Sequence, residues 1–239
     1  MKLISILDTE TNGLDPKNNQ IIEIAIILYD LINAAPVNSF SAIISSEPNP
    51  VEHINGIGSS LMKNMTDWKI STNVISEFIN KSDIILAHNA VFDKEFFENS
   101  FLQNEVYGYP NHFVKPWVCS MNHIKWPKKH TSRSLMAIAL AHGVPVIAAH
   151  RAMTDCDILA RLLTRVHENG TDLIKLMELA MRPRVLVQAL VSFDDRQLAK
   201  DEFFDWKGDT KQWLKEIPIE DIDALPFKCK ILDTKPQTK

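Results

Sequence analysis

The stretch Leu7-Asp8-Thr9-Glu10-Thr11-Asn12-Gly13-Leu14-Asp15-Pro16 decides how the rest of the chain is read. It closes an apolar run from Leu3 to Leu7 with two acids two residues apart, then a turn signal at Asn12-Gly13. Residues i and i+2 of a strand point to the same face. Asp8 and Glu10 therefore present two carboxylates side by side at the end of a central strand. Like charges that close stay ionised at neutral pH only when cations neutralise them. Hard oxygen ligands on one face suit Mg²⁺ or Mn²⁺. A plain strand end running into an acidic turn has the same sequence, so this stretch alone leaves both readings open.

Working outward, residues 2–7 read as a strand, residues 20–30 (QIIEIAIILYD) as a second, Ile-rich one, and residues 39–44 as a third, alternating one. The turn signals at Asn12-Gly13 and residues 16–19 make this a strand meander. Glu23 falls inside the second apolar run, either as a solvent-facing edge residue or as an acid behind the first pair. Residues 45–55 are a Pro-rich connection and 59–65 a short helix. Residues 72–80 form an amphipathic helix, with Val74, Ile75, Phe78 and Ile79 at helical spacing. An apolar strand follows at 83–87, a helix at 90–101 and a short strand at 117–119. Residues 126–131 (WPKKHT) are a basic aromatic loop, where Lys128, Lys129, His130 and Arg133 could hold phosphates or form a solvated surface. Helices at 132–142, 153–167 and 171–181 complete this part, the first stopped by Gly143. Strands first, then helices interleaved with single strands, predict a mixed α/β fold with a central sheet.

Arg182-Pro183-Arg184 marks a boundary, giving domains at 1–181 and 182–239. The second reads as a small α+β domain: a strand at 185–191, a helix at 194–201, a strand pair at 203–206 and 212–214, a helical turn at 219–224 and a last strand at 227–232. Trp206 and Trp213 read as the core of its sheet, or as a platform for stacked bases. A nucleic-acid or partner contact is a possible task for this domain.

Composition, 45% hydrophobic and 23% charged, is that of a globular protein, and no run approaches the ~18 apolar residues of a membrane span. The N-terminus runs straight into a strand, which is no signal-peptide pattern. Cys119, Cys156 and Cys229 are odd in number and widely spaced, which fits reduced thiols and a cytoplasmic setting. The net charge of -4 neither advertises nor excludes a nucleic-acid partner.

Two further clusters join the first. In His88-Asn89-Ala90-Val91-Phe92-Asp93 a strand delivers the chain to a helix whose first turn carries Asp93. In His150-Arg151-Ala152-Met153-Thr154-Asp155 the histidine precedes a helix and Asp155 lies in its opening turn. Taken together, DxE, HNxxFD and HRAxxD resemble the DEDDh-type 3′→5′ exonucleases, the group containing the proofreading ε subunit of bacterial DNA polymerase III. The resemblance covers about residues 1–178, with the motifs in family order and with supporting marks at Ile21-Ile22-Glu23-Ile24-Ala25 and Asn55-Gly56-Ile57.

The resemblance implies a ribonuclease H-like mixed central sheet flanked by helices. It implies two Mg²⁺ or Mn²⁺ ions held by Asp8, Glu10, Asp93 and Asp155, with His150 as general base. It implies release of 5′-mononucleotides from single-stranded or 3′-overhang DNA ends. Trimming of RNA 3′ ends, or service as a proofreading subunit inside a polymerase or repair complex, are the alternatives. Substrate contacts are expected at Thr9, Thr11, Gly13, Leu14, Asn55, His88 and Phe92. Relatives often carry His-Gly-Ile where this chain has Asn55-Gly56-Ile57, and an Asp-Thr pair where it has Cys119-Ser120. The latter pair is read as structural.

Overall fold

A computed structural model describes residues 1–44, 48–63, 65–103, 115–146 and 151–233. The expected general base, His150, lies outside the described residues, as do residues 147–149 of the connector before it. Two compact units are present, Met1–Ala180 and Met181–Lys239.

The first unit is built on a five-stranded sheet of order β3-β2-β1-β4-β5. Its strands are β1 (Leu3–Thr11), β2 (Ile21–Asp30), β3 (Ala35–Ile43), β4 (Ile84–Ala87) and β5 (Trp117–Cys119). The expected meander supplies β1, β2 and β3, paired antiparallel, while β4 joins β1 and β5 joins β4 in parallel. Strand β1 runs through Thr11, so Asp8 and Glu10 stand within the strand rather than after it.

Helices cover both faces. Strand parity assigns each side chain to one of them. Ile4 and Ile6 of β1, with Ala25, Ile27 and Tyr29 of β2, pack under α4 (Leu135–Ala141), α5 (Ala152–Glu168) and α6 (Leu173–Ala180). Leu3 and Leu7, with Ile24, Ile26 and Leu28, pack on the other face against α2 (Trp68–Lys81) and α3 (Ala90–Gln103). Strand β2 is apolar from Ile21 to Tyr29 except at Glu23 because both of its faces are buried; nine of its ten residues are buried. Burial of each such Ile or Leu side chain contributes about 1.5–3 kcal/mol. Core formation therefore fixes the register, since a slip of one residue would exchange the two faces.

Between β3 and α2 the sequence expectation needs correction. The turn of helix predicted at 59–65 is absent from the described residues there, which form turns and bends. A short helix, α1 (Glu52–Asn55), forms instead inside the stretch read as a connection. Gly56 ends it with φ +69°, a conformation favourable to glycine. Ile57 and Met62, without helical spacing, reach down onto Ile22 in a small cluster of their own. Tertiary packing overrides local pattern here.

The second unit carries a four-stranded sheet of order β7-β8-β6-β9. The strands are β6 (Arg184–Ala189), β7 (Asp205–Lys207), β8 (Gln212–Pro218) and β9 (Cys229–Asp233), with α7 (Arg196–Asp201) and a 3-10 helix at Ile219–Ala224. Val185, Val187 and Ala189 alternate inward from β6 onto Ala199, Phe204 and Ile217. Arg182 is tied to Asp221 by two hydrogen bonds of 3.0 and 2.7 Å. Trp206 and Trp213 stand opposite each other across β7 and β8, ring centroids 5.2 Å apart. Trp213 packs on the core as expected, whereas Trp206 is 50% exposed. Among the described residues no helix is long and apolar enough to cross a membrane.

Candidate active site

The site lies where β1 meets its turn and the first turns of α3 and α5. Parity puts Asp8 and Glu10 on the α5 side of the sheet with Ile4 and Ile6. Helix α5 packs across that face. Its Cys156 lies over β1 and β2, Sγ 3.7 and 3.6 Å from the carbonyl oxygens of Ile6 and Ala25. One residue earlier, Asp155 enters the same space. Carboxylate oxygens of Asp8, Glu10 and Asp155 all lie within 4.8 Å of one another.

Asp93 reaches the site from the opposite face. Asn89, two residues past the end of β4 and directly before α3, takes φ +69°, which an asparagine tolerates better than most residues. Asp93 then lies in the first turn of α3, and is buried at 2% exposure. Its Oδ1 accepts from the Thr9 backbone N–H at 3.0 Å and from Thr9 Oγ1 at 2.8 Å. Thr9 is the residue between the two β1 acids, and its odd position puts it on the α3 side. Expected as a substrate contact, it is buried and holds Asp93 beside the other three acids.

The electrostatics are those of crowded anions. Burial first, then Asp93, Asp155, Glu10 and Glu23, hold Asp8 well above the usual carboxylate range. Burial, then Asp155, Glu23 and Asp93, push Glu10 up to about 7, with Arg151 pulling the other way. Burial also lifts Asp93 to about 7 against the two Thr9 hydrogen bonds, which favour its charged form. Such a donor set, all hard carboxylate oxygen and reluctant to ionise alone, fits a hard divalent cation that relieves the repulsion.

Glu23 corrects one of its sequence readings. It is not a solvent-facing edge residue: it is 3% exposed and stands on the α5 face directly opposite Glu10. Its Oε2 and Oε1 each accept from Arg151, Nε and Nη2 at 2.9 Å, and Oε2 also accepts from Ala152 N–H at 3.2 Å. A buried acid flanked by isoleucines needs a cation, and here it is Arg151, the arginine of the HRA motif.

The turn after β1 is rigidly tied. Asn12 and Gln20 bond reciprocally, Asn12 N–H to Gln20 O at 3.1 Å and Gln20 N–H to Asn12 Oδ1 at 2.7 Å. Thr11 Oγ1 donates to Gly13 O at 2.6 Å, and a Cβ at Gly13 would run into the Asn19 side chain. Leu14 at the tip is 85% exposed, a costly placement for an apolar side chain that nothing in the core requires. Asn55, expected at the substrate, is buried and donates from Nδ2 to Thr11 O at 3.3 Å, bracing the same turn.

His88 and Phe92 flank the junction of β4 and α3. His88 Nδ1 is 2.8 Å from Ser120 Oγ, and burial lowers the imidazole to about 4, keeping it neutral. Ser120, within the pair read as structural, also accepts from Trp126 Nε1 on its backbone carbonyl at 2.8 Å. It thereby anchors the basic loop in which Lys128 and Lys129 are exposed. Phe92 is partly buried and leans on Phe96, centroids 4.7 Å apart.

A mixed sheet that gathers carboxylates from β1, α3 and α5 at one end defines a ribonuclease H-like nuclease core. The chain belongs to the exonuclease family, whose model matches residues 5–163, and the enzyme class read from the motifs, a 3′→5′ exonuclease, holds. A model described as a domain of unknown function (DUF8626) matches residues 185–232. The DNA polymerase III subunit epsilon of Treponema pallidum (strain Nichols) is 30% identical over 160 residues, 66% of this chain and 73% of that protein. The DNA polymerase III PolC-type of Thermotoga maritima is 27% identical over 168 residues, 68% of this chain but only 12% of that much longer protein. Among solved structures, the nuclease domain of 3′hExo, a DEDDh family member bound to rAMP, superposes with TM-score 0.59 at 16% identity, covering 72% of this chain and 94% of that one. Escherichia coli exonuclease I in complex with a dT13 oligonucleotide gives TM-score 0.59 at 17% identity, covering 79% and 48%. At such identities these two likenesses are of fold.

Proposed function

We propose that this exonuclease removes 5′-mononucleotides from the 3′ ends of DNA, using two Mg²⁺ or Mn²⁺ ions and His150 as general base. The observation that carries this reading is the convergence of Asp8, Glu10 and Asp155 oxygens within 4.8 Å at a sheet end, with Asp93 behind them on Thr9. When bound, paired divalent cations lower the pKa of the attacking water and neutralise charge on the attacking and leaving oxygens of an in-line displacement.

The chain's own residues divide the remaining tasks. Asp8, Glu10, Asp155 and Asp93 would hold the ions. His150, five residues ahead of Asp155, would take the proton of the attacking water. The tied turn at 11–14 would receive the terminal sugar through its backbone, and exposed Leu14 would pack on the last base. Stacking of that kind accepts every base, so little sequence preference is expected. Support for DNA comes from the relatives, which are DNA polymerase III proteins.

A time course on matched 5′-labelled DNA and RNA oligonucleotides with 3′ overhangs, in Mg²⁺, Mn²⁺ or EDTA, tests the proposal. A 3′→5′ ladder on DNA that EDTA stops is the expected result. Faster trimming of the RNA would replace DNA as the substrate. No cleavage of either by the folded protein would move the reading to a subunit active only beside a polymerase.

A further inference from the structure

Helix α5 begins without a cap of its own. Arg151 occupies the N-cap position and makes no side-chain capping bond, although the first backbone N–H groups of a helix need acceptors. Glu23 supplies one from a different element, accepting Ala152 N–H at 3.2 Å while both its oxygens hold the Arg151 guanidinium at 2.9 Å. The Arg151 carbonyl then accepts Asp155 N–H at 3.0 Å, closing the first turn of the helix. A continuous chain of bonds thus runs from Glu23, to Arg151, to the backbone of Asp155. Glu23 in turn is fixed by register, opposite Glu10 in the β1–β2 pair.

We propose that Glu23 is a positioning residue for the acid site: its three-bond clamp on Arg151 and Ala152 sets where Asp155 stands relative to Asp8 and Glu10. The inference rests on the reading of Asp8, Glu10 and Asp155 as metal-binding residues. Bidentate carboxylate–guanidinium pairing has a narrow geometry, and Glu23 is buried at 3% exposure, so the clamp holds α5 in one place along the sheet. Without it the opening turn of α5 would have neither a cap nor a fixed phase. Asp155 would then sample positions outside the three-carboxylate cluster.

Two other roles for the same pair make different predictions. If Glu23 and Arg151 act only as charges, one attracts a cation and the other repels it. Glu23→Gln would then weaken metal binding, Arg151→Gln would tighten it, and the double variant would return to wild type. If the pair serves only the stability of the fold, all variants would melt lower and bind metal as the wild type does. Positioning requires that both single variants lose affinity and that the double variant be no worse than either, because each breaks the same unit.

The experiment is a calorimetric Mn²⁺ titration of the full chain, with melting temperatures, for wild type, Glu23→Gln, Arg151→Gln, Arg151→Lys, the double variant Glu23→Gln/Arg151→Gln, and Asp8→Asn as control. Loss of a partner behind a metal ligand costs about 10–100-fold in affinity, so Mn²⁺ binding about tenfold weaker is expected in all four clamp variants. Arg151→Lys keeps the charge but not the bidentate fork, and its recovery of wild-type affinity would overturn the proposal. So would opposite shifts in the two Gln variants, or unchanged affinity with a lowered melting temperature. Should a single variant fail to fold with its partner's charge uncompensated, the charge-balanced double variant carries the same comparison. Wild-type protein that binds no Mn²⁺, or an Asp8→Asn variant that binds it normally, would overturn the metal reading itself and the inference with it.

Discussion

Glu10 and Glu23 face each other across the antiparallel β1–β2 pair on the same side of the sheet, and their fates differ. Glu23 has a guanidinium against both oxygens. Glu10 is pushed up to about 7 by burial and by the acids around it. In register, then, one acid is neutralised by a guanidinium and the other is left to its acidic neighbours.

Crowded carboxylates should make the metal-free protein more stable when the cluster is diluted. Asp8→Asn removes a group that burial and four acids hold above its usual range. It should abolish metal-dependent cleavage and raise the melting temperature measured in EDTA, each 1 kcal/mol appearing as about 2–4 °C in a chain of this size. A variant that cleaves at the wild-type rate would sink the metal assignment.

The pH dependence has a definite sign. Glu10 and Asp93 each sit at about 7 in the fold against ordinary values of 4.5 and 3.8. The native state therefore holds protons that the unfolded chain has released, and stability falls as pH rises wherever that is so. Their contribution is fully present below the unfolded values and is lost as pH climbs through about 7. Melting curves in EDTA from pH 4.5 to 8 should show Glu10→Gln losing less stability than wild type over this window. Parallel curves for the two proteins would refute the account. Mn²⁺ affinity should rise over the same window, because the ligands must lose their protons to bind.

Thr9 is tested by Thr9→Val. The change removes the 2.8 Å hydroxyl bond to Asp93 Oδ1 and leaves the backbone N–H bond at 3.0 Å. Asp93 then ionises less readily, so activity should fall about tenfold or more and its alkaline-rising limb should move to higher pH. An unchanged pH–rate profile would show that the hydroxyl serves packing alone.

His150→Ala should slow cleavage by about 10²–10⁴-fold, the usual worth of a general base, while leaving Mn²⁺ affinity as in wild type. A variant that loses metal along with rate would assign His150 to ion binding instead.

Leu14→Ala should raise KM with little change in kcat or melting temperature. At 85% exposure the side chain contributes almost nothing to the core, and its apolar contact with a base is worth about 1–2 kcal/mol. A matched fall in melting temperature would mean the residue belongs to the fold.

Strand parity makes part of the site legible in the sequence. Asp8 and Glu10, two apart in an apolar run, had to share a face, and helix spacing put Asp93 and Asp155 in opening turns. The same parity assigns Thr9 to the opposite face, where it meets Asp93. Glu23 was harder, because its burial depends on α5 crossing that face of β2, a long-range event no local pattern encodes. The misplaced helix at 59–65 has the same origin: Met62 and Ile57 answer to Ile22, far away along the chain, and not to each other's spacing.

The acids reach their meeting point from both sides of the sheet, Asp155 with the helix layer on one face and Asp93 with the layer on the other. Position 8 and position 155 span most of the first unit, and neither layer alone assembles the set. On the proposed function, competence to cut would wait until both layers have docked. Cation binding by the four acids would, for the same reason, report on completion of the fold rather than on any one segment.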